Sequence, residues 1–134
     1  MSTPHEGLIY TMVMVSAADS VMTDSELHVI GDIVRQLPVF GDYDETGLPA
    51  AAAECAELLA EEEGLDRVVD FIKGALPRKL CETAYAMACD VVAADGEANQ
   101  EELRVLEILR HRLDIDRLIA AGIERGARAR HTTA

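Results

Sequence analysis

Ala93-Ala94-Asp95-Gly96-Glu97-Ala98-Asn99-Gln100-Glu101-Glu102-Leu103 is the stretch whose reading decides the fold. It closes an apolar helix on two alanines, turns on Asp-Gly, and opens a new helix with Asn99 and Glu102 at capping spacing. Moved back by 76 positions it falls on Ala17-Ala18-Asp19-Ser20-Val21-Met22-Thr23-Asp24-Ser25-Glu26-Leu27. Between Ala17 and Val34, six of eighteen positions are identical to their counterparts. Both copies follow an apolar run and precede an apolar stripe at helical spacing, which marks a repeated unit. The expected fold is all-α: a single bundle of about seven helices built from two related helix-turn-helix halves. The first repeat covers about 8–37, the second about 78–113, and a C-terminal helix with a basic tail fills 114–134.

Leu8, Ile9, Met12, Val13 and Val15 occupy nearly every side of the helix before the first elbow, which places it in the core. Thr23-Asp24-Ser25-Glu26 spells a capping box, and Leu27, Ile30, Ile33, Val34 and Leu37 form the stripe of a second helix stopped by Pro38. Phe40 to Gly47 is polar with two glycines, so no helix is expected there. A third helix is expected from about Pro49 to Glu63, with Ala52, Cys55, Leu58 and Leu59 inward and Pro49 in its first turn. Glu61-Glu62-Glu63 lies at its C-terminal end, where negative charge opposes the helix dipole. It reads either as a solvated face or as a docking point for a cation or a basic partner. Gly64 ends that helix, and Asp66 caps a short fourth one carrying Val68, Val69 and Ile72 as far as Gly74. Pro77 opens a fifth helix, 78–94, with Leu80, Ala84, Met87, Ala88, Val91 and Val92 at helical spacing and Asp90 among them. Leu103, Leu106, Leu109 and Leu113 define a sixth. A last helix from about Asp116 to Gly126 is expected to bury Leu118, Ile119 and Ile123, with the tail Arg125 to His131 fraying.

At 134 residues the chain suffices for one domain with its own core. Aromatics make up only 4% and Trp is absent, so the helices must meet through small and aliphatic side chains. The longest apolar run, Leu8 to Ala18, covers eleven positions, whereas a bilayer span needs about 20. The first residues carry His5 and Glu6 rather than a basic start, so no signal peptide is read and a cytoplasmic location is expected. Three cysteines without a Cys-x-x-Cys pair fit reduced, buried thiols. The net charge of −13 is lopsided: residues 1–66 hold one basic residue, Arg35, against fourteen acidic ones, and residues 67–134 hold eleven of each sign. The acidic half repels nucleic acid, and the other half has no aromatic-basic platform for it. A cation or a protein with a basic surface is the better-matched partner.

Two apolar helices, each ending in Ala-Ala-Asp and followed by a polar turn and Glu-Leu, resemble the tellurite-resistance TerB family of bacteria. The closing run Ile115-Asp116-Arg117-Leu118-Ile119-Ala120-Ala121-Gly122-Ile123-Glu124-Arg125-Gly126-Ala127-Arg128-Ala129-Arg130-His131 is similar to small stand-alone TerB-like proteins of proteobacteria. The resemblance spans roughly Leu8 to His131 and implies an all-helical bundle of two related halves. It also implies a part in tellurite or chemical-stress responses, as a metal-associated or scaffolding module rather than an enzyme. Divalent metal in such proteins is implied at the acidic elbows, which correspond here to Asp95 and Glu102 in the second copy and Asp19 and Glu26 in the first. The first copy departs from the pattern with Ser20 where glycine is usual, so its elbow turns without the most permissive residue.

The residues themselves leave two readings of the elbows open. Glu26 and Glu102 sit three positions after Thr23 and Asn99, where capping explains them, and Asp19 and Asp95 suit turn chemistry at a helix end. If the halves pack about a pseudo-twofold axis, Asp19 and Asp95 come close and the carboxylates repel unless a cation or arginine joins them. Oxygen-only donors favour Ca²⁺, Mg²⁺ or Mn²⁺ over Zn²⁺. Seven positions from Asp to Glu are too few for an EF-hand loop of twelve. Catalysis is not expected. There is no His-Glu-x-x-His, Gly-rich phosphate loop or Gly-x-Ser-x-Gly, and His5, His28, His111 and His131 are isolated and read as surface residues. The expected function is a non-enzymatic module of a tellurite or metal-stress response holding a divalent cation at its elbows. The alternative is a scaffold whose acidic first half docks a basic partner without metal.

Overall fold

A helix with apolar residues on every side must be surrounded, and the first helix is. The computed structural model describes residues 3–18, 22–96 and 98–134. Within them α1 (Pro4–Ser16) buries ten of its thirteen residues, and Leu8, Ile9, Met12, Val13 and Val15 are wholly inaccessible. Burying each such side chain contributes about 1.5–3 kcal/mol. Thr3 and Glu6 close a capping box at its start, so the helix enters the core with its first amides satisfied. Inside it, the Thr11 hydroxyl donates to the Gly7 carbonyl at 2.8 Å.

Six further helices follow: α2 (Asp24–Gln36), α3 (Leu48–Leu59), α4 (Gly64–Ala75), α5 (Cys81–Ala94), α6 (Gln100–Arg112) and α7 (Arg117–Arg130). Among the described residues there is no strand. α1 lies against α3, α4 and, most extensively, α5. α2 and α6 each touch both central helices, and α7 covers α5. Tyr10 of α1 stacks on Phe71 of α4 with ring centroids 4.3 Å apart. Arg112 of α6 reaches Asp66 and Asp70 of α4 at 3.2 and 2.9 Å, tying these two helices together at the surface. The all-α bundle of seven helices is as the sequence predicts. No helix of the described residues is long and apolar enough to cross a membrane.

Several local expectations are corrected. α3 ends at Leu59 rather than Glu63, because the three glutamates oppose the dipole of any helix that would include them. Glu63 instead turns left-handed at φ 57°, and Gly64 begins α4 rather than ending α3. Only glycine fits there: a Cβ would lie 2.2 Å from the Leu59 carbonyl oxygen and 2.6 Å from that of Leu58. Asp66 does not cap α4, whose N-cap is Glu63, and is instead bonded to Arg112. The connection after α2 makes two short 3₁₀ turns, and its Phe40 is buried. His5 is not a free surface residue, since its Nε2 lies 2.8 Å from the Val39 carbonyl oxygen and its ring stacks on Phe40.

α7 departs most from expectation. Leu118 is 82% exposed and Ile119 41%, and the residues α7 buries are Ala120 and Ala127. The tail does not fray: the helix runs to Arg130, whose guanidinium reaches Asp90 at 2.7 Å, with His131 at 3.5 Å from the same carboxylate. Asp90 on an apolar face of α5 is thus answered by the basic end of α7.

Two predictions follow from these contacts. Gly64→Ala should lower the free energy of unfolding by about 1–3 kcal/mol or more in urea titration, because the new methyl meets backbone rather than a movable side chain. Burial raises the Cys55 and Cys89 thiols to about 12, whereas Cys81 is half-buried. At pH 8 a disulfide reagent should therefore modify one thiol per native chain quickly, at Cys81. Cys55 and Cys89 should react only on unfolding.

Candidate functional site

Each elbow joins a buried helix to a capped, amphipathic one. At the second, the Asp95 amide still donates to the Val92 carbonyl at 3.2 Å and the Gly96 amide to Ala93 at 3.1 Å. Gly96 then takes φ 92°, a conformation that a Cβ resists. Asn99 starts α6: its Oδ1 accepts from the Glu102 amide at 2.8 Å, while Glu102 Oε1 accepts from the Asn99 amide at 3.1 Å. α2 begins in the same way, with Thr23 Oγ1 accepting from the Glu26 amide at 3.1 Å and Glu26 Oε1 from the Thr23 amide at 2.8 Å. Capping accounts for one oxygen of each glutamate.

Burial then separates the pair. Glu102 is 4% exposed, Glu26 is half-buried, and Asp95 is exposed. A carboxylate taken out of water must be compensated, and Glu102 has the Asn99 amide and the positive end of α6 beside it. Asp19, and with it the expected approach of Asp19 to Asp95, lies outside the described residues.

The elbows share one end of the bundle. Met14, Ala17, Ala18 and Met22, which flank the first elbow, line a cleft of about 470 Å³ together with Glu101, Arg104 and Val105 of the first turns of α6. The Ser16 hydroxyl, one turn before the first elbow, is buried without a hydrogen-bond partner among the described residues. Carboxylate and hydroxyl oxygens suit a hard divalent ion, and neither elbow carries histidine or cysteine. Among the described residues, however, no three His, Cys, Asp or Glu side chains group closely enough to hold a metal.

A second cleft, of about 750 Å³, opens between α6 and α7 over α5 and includes Tyr85, Cys89, Leu103, Leu106, Glu124 and Arg128. Tyr85 donates to Glu124 Oε2 at 2.5 Å. Burial, and then that hydrogen bond, push its phenol well above the usual range, so it acts as a neutral donor. The Tyr85–Glu124 and Asp90–Arg130 links escaped the sequence reading, although an aspartate on an apolar face and an arginine-rich tail were both in view. The capping box Thr3-Pro4-His5-Glu6 was likewise legible as Thr-x-x-Glu before an apolar run.

No curated protein and no solved structure matches the chain. A family model, described as Tellurite resistance protein TerB, matches residues 5–122. That span takes in α1 to α6, both elbows and the start of α7. With both elbows capped alike and brought to one end of an all-helical bundle, the chain belongs to the TerB family.

Proposed function

We propose that this TerB-family chain is a non-catalytic, cytoplasmic module of a tellurite or metal-stress response that holds a divalent cation at its acidic elbows. The observation that supports this reading is the cleft where residues flanking the first elbow face the first turns of α6, the helix whose capping Glu102 is buried. Asp95 and Glu102 are the candidate ligands at the second elbow and Glu26 at the first; these three do not already group closely enough to hold one ion, so the elbows would have to draw together around it. Asp19 joins them by its place in the sequence. Bound there, the ion would offset the mutual repulsion of these groups and stiffen the two turns. With no three-ligand group among the described residues, weak binding of Ca²⁺, Mg²⁺ or Mn²⁺ is favoured over tight binding of Zn²⁺.

A second reading, docking of a basic protein on the acidic first half, is favoured by the outer side of α3. Glu54 and Glu57 on α3, and Glu61, Glu62 and Glu63 in the turn that follows it, are all exposed. Among the described residues only Glu61 of these forms an ion pair, with Arg67 at 3.4 Å.

Calorimetric titration of chelator-stripped protein with each ion tests the first reading. Saturable heat is expected with a dissociation constant of about 0.1–1 mM. It should vanish in Asp95→Asn with Glu102→Gln, a pair that keeps the fold because glutamine also completes a capping box. Circular dichroism checks that the helices remain. Absence of heat from the wild type at millimolar ion would reduce the elbows to caps and turns.

A further inference from the structure

The outward face of α7 is basic in a chain that is otherwise acidic. Leu118, Ala121, Gly122, Arg125 and Ala129 recur at helical spacing, with Arg128 at their edge, and all are exposed. Leu118, at 82%, is the most exposed large apolar side chain among the described residues. Arg125 and Arg128 enter no ion pair among the described residues, whereas Arg130, turned inward, is held by Asp90. Both free arginines lie beyond the region matched to the family.

The outward face of α3 is its complement. Ala50, Ala53 and Glu57 recur along it, continued by the C-cap Ala60, with Glu54 at one edge and Glu61 just past the helix end, and all are exposed. Small contact residues let two helix axes approach to about 8 Å, which brings flanking charges within reach of each other. α3 rests on α1 and α4 while α7 rests on α5, so the two faces are not paired with each other within one chain. A second copy of this chain presents the complementary face with matching spacing and opposite charge.

We propose that α7 of one chain docks on α3 of a second copy, with Leu118 and the small residues at the centre and Arg125 and Arg128 against Glu54 and Glu57. The contact joins two different faces, so it is heterologous and extends head to tail until a ring closes. It rests on the acidic-face reading given above and narrows the basic partner to the chain itself. None of the candidate cation ligands Glu26, Asp95 and Glu102 is on either face, so the substitutions that test docking leave those carboxylates intact.

Sedimentation velocity on the full chain tests it. The wild type should form species larger than a monomer at low salt and dissociate in half-molar NaCl. Arg125→Glu with Arg128→Glu, or Glu54→Arg with Glu57→Arg, should each weaken association about a hundredfold by setting like charges together. An equimolar mixture of the two variants should re-associate, because each reversed face then meets a matching one. General charge repulsion makes a different forecast, since the glutamate-to-arginine variant is less negative overall and should then associate better than the wild type. That result, or a wild type monomeric at millimolar concentration and low salt, overturns the proposal. Poly-L-lysine added to such a monomer separates the two readings. Capture lost in Glu54→Gln with Glu57→Gln leaves the acidic-face reading standing, and capture unchanged by them removes both.

Discussion

Everything in this bundle has to accommodate α1, a helix without a polar face. Its side chains are buried around the whole circumference, so it needs neighbours on every side, and α3, α4 and α5 supply most of them. α5 is its counterpart and also largely apolar, so the two lie together and α2 and α6 bridge across both. A core of Leu, Ile, Val, Met and Ala needs close packing to be stable, and the scarcity of aromatic rings is compatible with that. Where rings do occur, as in Tyr10 on Phe71 and His5 on Phe40, they seal the periphery of α1.

The elbows follow from the same demand. A buried helix that must hand over to an amphipathic one needs a turn and then a cap, and acidic or small polar residues meet both needs. Carboxylates accumulate at that end of the molecule because helix N-termini favour them. The chemistry proposed for the elbows therefore uses groups that the fold already requires. Glu54 and Glu57 on α3 and Arg125 and Arg128 on α7, by contrast, enter no ion pair among the described residues, whereas Arg130 is held by Asp90.

Fold class and the capped elbows were legible because period and capping are local properties. Leu8 to Val15 announces a core helix, and Thr23 with Glu26 announces a helix start, without reference to anything distant. What escaped depends on contacts between remote segments. Gly64 looks like a helix terminator until the Leu58 and Leu59 carbonyls are seen above it. Leu118 and Ile119 have the spacing of a buried stripe, but α7 is turned by the grip of Asp90 on Arg130 and of Tyr85 on Glu124. That leaves alanines inward and leucine outward. The candidate site was legible only in part. Glu26 and Glu102 were correctly placed as caps, but that Glu102 is almost wholly buried and Glu26 only half-buried depends on packing that no repeat pattern encodes.

The most direct measurement of the central claim is paramagnetic broadening of amide resonances by substoichiometric Mn²⁺ in isotope-labelled protein. A cation held at the elbows should bleach the amides of Asp95 to Leu103, together with those around Thr23 to Glu26, before any others. Signals along α3 and from Glu61 to Glu63 should persist at the same ion concentration. Bleaching that begins at the Glu61–Glu63 turn, or that spreads evenly over the acidic half, would contradict the account, because it would mean that the ion follows net charge and not the elbow carboxylates.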